Sequence, residues 1–261
     1  MKAKKRFGQN FLTCAWVASA MLKAPCVNAQ DTVLEIGPGK GALTQKLLQS
    51  GAKVIAVEKD RDLEAFLKDK FKDEIAKGQL VLYIKDIRDF VKDNLPKESY
   101  KLVANIPYYI SGEILRMFLT AHNKPASITL LVQKEVAQRV VDNKESLLSL
   151  SVKFFGIPKL IKKVPAQCFA PQPKVDSAIL HIELKSSLPY LDLQEEFFAV
   201  LRAAFASKRK KLINNLASIC NKKVILEFFK GHNIKDTARA EELNLEIYLK
   251  LVSFMKNRCL K

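Results

Sequence analysis

The sequence predicts an α/β protein, a doubly wound, mostly parallel sheet followed by a small C-terminal all-α domain. Three observations carry that expectation. From about residue 32 to 133, short apolar, partly β-branched runs alternate with helix-patterned segments. A Gly-rich turn, Gly37-Pro38-Gly39-Lys40-Gly41, joins the first such run to the first helix pattern. Beyond Leu184 the strand signal stops, and apolar residues recur at helical spacing.

Thr32–Ile36 is the first strand, continuous enough in apolar residues to be covered on both faces. A helix pattern over 42–50 follows the turn, and Lys53–Glu58 is the second strand, ending in a carboxylate. After a helix over 61–72, Leu80–Ile84 is the third strand and runs into Lys85-Asp86. The fourth, 102–105, ends in the amide of Asn105; a helix over 111–121 separates it from the fifth, 128–132. Two extended stretches, 150–163 and 175–184, are expected to close the sheet, the second alternating as Val175, Ser177, Ile179, His181. Ser186-Ser187-Leu188-Pro189 is a linker, dividing the chain into domains 1–185 and 186–261. In the second domain Phe197, Leu201 and Phe205 share one helical face, and 224–229 and 247–254 continue the helical theme.

At 261 residues, 48% hydrophobic and 27% charged, the composition is that of an ordinary globular chain. Its charge is not: 44 Lys+Arg against 27 Asp+Glu give a formal +17, a field that favours polyanions. No apolar run reaches bilayer length, and the basic start is not followed by an apolar signal core, so a cytoplasmic protein without a membrane partner is expected. Cys14, Cys26, Cys168, Cys220 and Cys259 are odd in number and scattered, which indicates neither a disulfide framework nor a zinc site. His122, His181 and His232 read as structural, and no metal is expected.

Chemistry concentrates at the strand ends. The Gly-rich turn lets backbone approach a cofactor; Ala42 in its third glycine position is compatible with NAD as well. Glu58, about twenty residues on, suits two ribose hydroxyls in either cofactor. Asp86 can accept from an adenine amine. Asn105-Ile106-Pro107-Tyr108 sets two acceptors, the Asn105 side-chain oxygen and the Ile106 carbonyl, beside an aromatic ring, and Pro107 removes a competing donor. That corner is a receptor for a flat heterocycle bearing an NH2 group, for which a dehydrogenase has no use. Together the four strand ends predict an S-adenosylmethionine-dependent methyltransferase acting by direct in-line transfer, with an NAD-linked oxidoreductase a distant alternative.

With these motifs the chain resembles the ribosomal RNA adenine N6,N6-dimethyltransferases, in particular the bacterial small-subunit branch. The likeness covers nearly the full length: Arg6-Phe7-Gly8-Gln9-Asn10-Phe11-Leu12, Glu35-Ile36-Gly37-Pro38-Gly39, Val57-Glu58-Lys59-Asp60, the Asn105 tetrapeptide and Leu131-Val132-Gln133-Lys134-Glu135-Val136-Ala137. Phe169-Ala170-Pro171-Gln172-Pro173-Lys174-Val175-Asp176-Ser177, Phe205-Ala206-Ser207-Lys208-Arg209 and Arg239-Ala240-Glu241-Glu242-Leu243 complete it. The resemblance implies a Rossmann-like class I methyltransferase sheet with S-adenosylmethionine as cofactor. It further implies N6,N6-dimethylation of two adjacent adenosines in a hairpin loop near the 3′ end of small-subunit (16S) rRNA, coupled to small-subunit biogenesis, by a monomer acting on the immature subunit. Position by position, Asn10 and Leu12 would line the methionine end of the cofactor, Gly37 would contact it through backbone, Glu58 would hold the ribose and Asp86 the adenine. Asn105 would sit where cofactor and target amine meet, with Tyr108 and Phe169 on the two faces of the target base. A large-subunit adenine N6-methyltransferase of the macrolide-resistance type and a mainly non-catalytic small-subunit assembly factor are the competing readings. One departure stands out: residues 141–150 form a shorter, glycine-free version of a loop that is usually longer in the family.

Three acid-free basic windows are expected to meet phosphate: 1–30, 146–175 and 201–226. The first holds Lys2, Lys4, Lys5, Arg6 and Lys23, the second Lys153, Lys159, Lys162, Lys163 and Lys174. The third holds Arg202, Lys208, Arg209, Lys210, Lys211, Lys222 and Lys223.

Overall fold

The structure, a computed structural model, describes residue 4 and residues 8–259. In chain order the elements begin with β1 (Phe11–Leu12), α1 (Ala15–Lys23), β2 (Thr32–Ile36), α2 (Ala42–Gln49) and β3 (Lys53–Glu58). They continue through α3 (Glu64–Lys70), α4 (Lys72–Ala76), β4 (Leu80–Ile84), α5 (Ile87–Asp93), β5 (Lys101–Asn105) and α6 (Ser111–Leu119). Then come β6 (Ser127–Gln133), α7 (Lys134–Val141), α8 (Leu147–Phe155), β7 (Gly156–Val164), β8 (Phe169–Ala170) and β9 (Ser177–Leu184). Four helices end the chain: α9 (Gln194–Ala204), α10 (Leu212–Leu216), α11 (Lys222–Gly231) and α12 (Leu245–Lys256).

The chain divides into two compact units, Met1–Gln138 with Gly156–Leu184, and Arg139–Phe155 with Lys185–Lys261. The first unit holds a seven-stranded sheet of order β4-β3-β2-β5-β6-β9-β7. Its β2, β3, β4, β5 and β6 run parallel, while β9 pairs antiparallel with both β6 and β7. Parallel strands joined by helical crossovers are covered on both faces, which is why Val33, Leu34, Val54, Ala56, Leu102, Val103, Ile128 and Leu130 are all fully buried. The fold class is therefore the Rossmann-like α/β arrangement expected. The second unit is helical, built on Phe197, Leu201, Phe228, Phe229, Tyr248 and Leu251.

Two expectations need correction here. The extended stretch 150–163 begins as helix: α8 runs to Phe155, and the strand starts only at Gly156. Leu147–Phe155 reads LLSLSVKFF, an apolar run whose periodicity fits either element. The local hydrogen bonds decide for helix, because Ser146 Oγ accepts from the Ser149 N–H at 3.0 Å. That helix also explains why 139–155 leaves the first unit for the second, which a single boundary at 185/186 does not anticipate. Within the second unit Phe154 stacks on Phe197 at 4.6 Å between ring centroids.

The cysteines are the other correction. Cys14 bonds Cys168 and Cys220 bonds Cys259, leaving Cys26 free and exposed. The pairs are 154 and 39 residues apart, so no local spacing could have shown them. The β1–β8 pairing brings the first pair together, with Thr13 N donating to Cys168 O at 2.9 Å. Among the described residues no helix is long and apolar enough to cross a membrane, and no cluster of potential metal ligands occurs. Two histidines have internal partners, His181 with Thr129 (2.9 Å) and His232 with the Phe228 carbonyl (3.0 Å).

Candidate active site

Because β2 to β5 are parallel, their C-terminal ends lie along one edge of the sheet, where open α/β sheets hold ligands. Gly37, Glu58, Asp86 and Asn105 leave those four ends and line a single cavity. The opposite wall comes from residues 8–12 and from Phe169. The short β1–β8 ladder places this wall, pairing Phe11 with Ala170 and Leu12 with Phe169.

The turn after β2 needs glycine for two reasons. Gly37 and Gly39 have φ of 69° and 59°, a region unfavourable to other residues. A Cβ on Gly39 would also lie 3.1 Å from the Phe11 ring. This shape aims the Gly39 N–H at Glu58 Oε2 (3.1 Å), and the Asp60 N–H meets Glu58 Oε1 (2.8 Å). Glu58 is thus buried and oriented by two backbone donors. Burial raises its pKa from the ordinary value, with those donors opposing the rise.

Glu35, one strand residue before the turn, is buried, and neither carboxylate oxygen has a hydrogen-bond partner among the described residues. Desolvation pushes its pKa up to about 8, only partly opposed by neighbouring Thr44. The unfolded chain releases this proton near the ordinary value of 4.5 while the folded chain keeps it to about 8. Stability contributed by Glu35 is therefore complete below the unfolded pKa and is lost as pH rises through the folded one. Glu35→Gln is expected to flatten the fall in stability between pH 5 and 8 by on the order of a few kcal/mol, leaving the smaller, same-signed slope from Glu58. Urea unfolding at pH 5.5, 7 and 8.5 checks it; parallel curves for the two proteins would contradict the assignment.

Asp86 caps α5, accepting from the Arg88 N–H at 3.0 Å. Its other oxygen meets Lys59 Nζ at 2.8 Å and an Arg88 guanidinium nitrogen at 3.4 Å. Burial pushes its pKa up, but these cations and the backbone donor outweigh it and hold the carboxyl below its ordinary value. Asn105 Nδ2 donates to the Asn10 carbonyl over a long 3.4 Å. A carbonyl accepts only, so this contact fixes the amide's orientation and leaves Oδ1 for an incoming N–H donor. Tyr108 is half-buried, its hydroxyl 2.6 Å from Ser177 Oγ. Phe169 is only 4% exposed and packs in the apolar cluster beneath the cavity it lines. Asn10 contributes its carbonyl, while its own amide turns back to the Gly8 carbonyl at 3.3 Å. Leu12 lines the cavity beside Phe169.

Sequence reasoning missed several lining groups. Tyr109, next to the tetrapeptide, is 71% exposed at the cavity rim. Arg88 and Glu113 form a bidentate pair at 2.6 and 2.9 Å on the same rim. Gln9 joins the wall and reaches Asp60. Tyr109, Gln9 and Arg88 carried a signal in lying within two residues of Tyr108, Asn10 and Asp86; Glu113, distant from all of these in sequence, carried none.

The basic windows differ in how their cations are used. Lys208, Arg209, Lys210 and Lys211 are exposed in the turn between α9 and α10, with no ion pair to an acid among the described residues. Lys153, by contrast, is engaged internally by Glu145 (2.7 Å) and the Asp142 carbonyl (2.8 Å). Lys4 is likewise bound to Asp60 and Asp62. Lys2, Lys5, Arg6 and Phe7 lie outside the described residues.

Comparison with known proteins identifies the family. The family model described as ribosomal RNA adenine dimethylase matches residues 1–257. A ribosomal RNA small subunit methyltransferase A from Dehalococcoides mccartyi (strain CBDB1) is 41% identical, covering 99% of this chain and 91% of its own. One of the same name from Mycoplasmopsis pulmonis is 40% identical, covering 96% and 98%. Among solved structures, a dimethyladenosine transferase from Plasmodium falciparum superposes with a TM-score of 0.79 at 27% identity, covering 95% of this chain and 98% of that one. A 23S rRNA methyltransferase superposes with a TM-score of 0.76 at 23% identity over 95% of this chain, a likeness of fold.

Proposed function

The chain belongs to the ribosomal RNA adenine dimethylase family and is an rRNA methyltransferase, and from that premise we propose that it uses S-adenosylmethionine to place two methyl groups on N6 of each of two adjacent adenosines in a hairpin loop near the 3′ end of small-subunit (16S) rRNA, in step with small-subunit biogenesis. The observation that carries this reading is the shared cavity: the Asn105 corner opens onto the same space as the Gly-rich turn and Glu58. The residues fit the cofactor. Each Glu58 oxygen accepts one backbone N–H and keeps a lone pair for a ribose hydroxyl. A Cβ at Gly37 would meet only the Asn105 carbonyl, at 3.7 Å, so backbone can approach a ligand there. Glu58 and Gly37 would hold the cofactor's ribose and methionine portions, with Asn10 and Leu12 closing the methionine end and Asp86 accepting from the adenine. The sulfonium supplies an activated methyl group, so no protein nucleophile is required.

The protein's share is positioning. Asn105 Oδ1 and the Ile106 carbonyl accept the target's exocyclic hydrogens, localising the nitrogen lone pair. Tyr108, braced by Ser177, and the cavity surface of Phe169 hold the base faces. A paired base is unreachable, so the adenosine enters unstacked. The first unit would carry the chemistry and the second, helical unit the RNA, with the protein acting as a cytoplasmic monomer on the immature subunit. The small-subunit assignment rests on relatives that bear that name at 35–41% identity; the large-subunit alternative has only a likeness of fold behind it. Incubation with labelled S-adenosylmethionine and undermethylated small subunits, followed by nucleoside analysis, tests the proposal. N6,N6-dimethyladenosine in the small-subunit RNA is expected; label confined to large-subunit RNA would overturn it.

A further inference from the structure

Asp60 takes no part in the function above, yet it is among the most heavily engaged side chains of the first unit. It is buried two residues beyond Glu58, and its own N–H holds Glu58 Oε1 at 2.8 Å. Oδ1 accepts from Lys4 Nζ at 2.5 Å and from the Asp62 N–H at 3.2 Å. Oδ2 accepts from Gln9 Nε2 at 2.9 Å, and Gln9 Oε1 accepts the Lys4 N–H at 2.9 Å. Capping the short turn that starts at Arg61 requires only Oδ1; Oδ2 is given to Gln9. Gln9 and its neighbours Gly8, Asn10 and Phe11 form one wall of the cavity, and Asn10 receives Asn105. Burial would push the Asp60 carboxyl up, but Lys4, Gln9 and the Asp62 amide outweigh it, so the group is ionised when it binds Lys4.

The geometry points to Asp60 as a positioning residue that, through Gln9 and Lys4, fastens the cavity wall formed by residues 8–12, and thereby sets how long an S-adenosyl ligand stays. This rests on the reading of the cavity as an S-adenosylmethionine site. Its consequence is specific to dimethylation: two methyl groups on one nitrogen require two donors, so the spent donor must leave before the second transfer. Asp60→Asn keeps an oxygen for the turn but loses the charge facing Lys4. The amide offers only one acceptor where the carboxylate had two, so it cannot serve both Asp62 and Gln9 as before.

The test uses the full chain, Asp60→Asn, Lys4→Met and the double variant, with S-adenosylhomocysteine as the probe. Stopped-flow dissociation and hydrogen exchange of the amides at 8–12 are the readouts. Asp60→Asn is expected to speed dissociation about tenfold and to raise exchange at 8–12. Lys4→Met is expected to add less in the Asp60→Asn background than in the parent, since its Asp60 contact is already weakened and only the exposed Asp62 pair is left to lose. Unchanged dissociation and exchange, or effects of the two substitutions that multiply, would overturn the assignment. Should the parent protein not bind the probe, the cofactor reading fails; exchange at 8–12 then decides alone, faster in Asp60→Asn supporting the clasp and equal to the parent refuting it. If Asp60→Asn does not fold, Lys4→Met alone carries both readouts: faster dissociation and exchange support the clasp, and parent values refute it.

Discussion

Asn105→Ala is expected to slow methyl transfer about 10²–10³-fold, the scale on which one preorganised hydrogen-bonding group at a reacting centre is lost. The reason lies in how few groups can do its work. The Tyr108 hydroxyl is committed to Ser177, and the Asn105 amide nitrogen is a donor, already given to Asn10. Among side chains at this corner, Asn105 Oδ1 is therefore the acceptor left for the target amine. Single-turnover measurements at saturating S-adenosylmethionine isolate this step from cofactor binding, to which Asn105 is also assigned. Asn105→Asp is the informative companion. It keeps an acceptor but removes the Nδ2 donor, setting a carboxylate against the Asn10 carbonyl, and an intermediate loss is expected. The second methylation should suffer at least as much as the first, because a monomethylated amine has one hydrogen left to grip. Turnover of a monomethylated substrate at the parent rate in Asn105→Ala would disprove the cradle.

Neutralising Lys208, Arg209, Lys210 and Lys211 together is expected to weaken RNA binding about 100-fold at moderate salt. The four are exposed and consecutive in one turn, with no acid paired to them among the described residues. Each phosphate left without its cation should lower the slope of log K against log salt by roughly 0.7–0.9, so a reduction of about 3 is expected if all four reach phosphate. Lys153→Gln is the contrasting control: its ammonium is occupied by Glu145 and the Asp142 carbonyl, so its loss should cost stability of the second unit and leave the salt slope alone. Binding of S-adenosylhomocysteine to the first unit should be unchanged in the quadruple variant. An unaltered salt slope there would remove this turn from the RNA interface.

Much of the first unit was legible before any coordinates. Thr32–Ile36, Lys53–Glu58 and Leu80–Ile84 are strands with the bounds their apolar runs suggested. Apolar runs between turn signals are local, and burial on both faces of a parallel sheet admits few polar interruptions. Where the pattern was ambiguous the outcome went the other way: LLSLSVKFF satisfies both periodicities, and the capping serine with the packing of Phe154 on Phe197 makes it helix. Position 156, where the strand starts, admits only glycine because β7 runs so close to β9 that a Cβ would sit 2.7 Å from the Glu183 carbonyl.

By itself the sequence determined which residues stand at the strand ends: a Gly-rich turn, Glu58, Asp86 and the Asn105 corner each follow an apolar run whose direction a parallel sheet dictates. Only the tertiary structure decided which distant groups join them. Gln9 and Lys4 meet Asp60 across more than fifty residues, Cys14 meets Cys168, and Lys153 turns inward to Glu145 while the cations at 208–211 stay free of acids. Periodicity and turn chemistry act over a few residues and so can be read along the chain; these pairings follow from sheet order and helix packing, which bring together residues that no spacing rule connects.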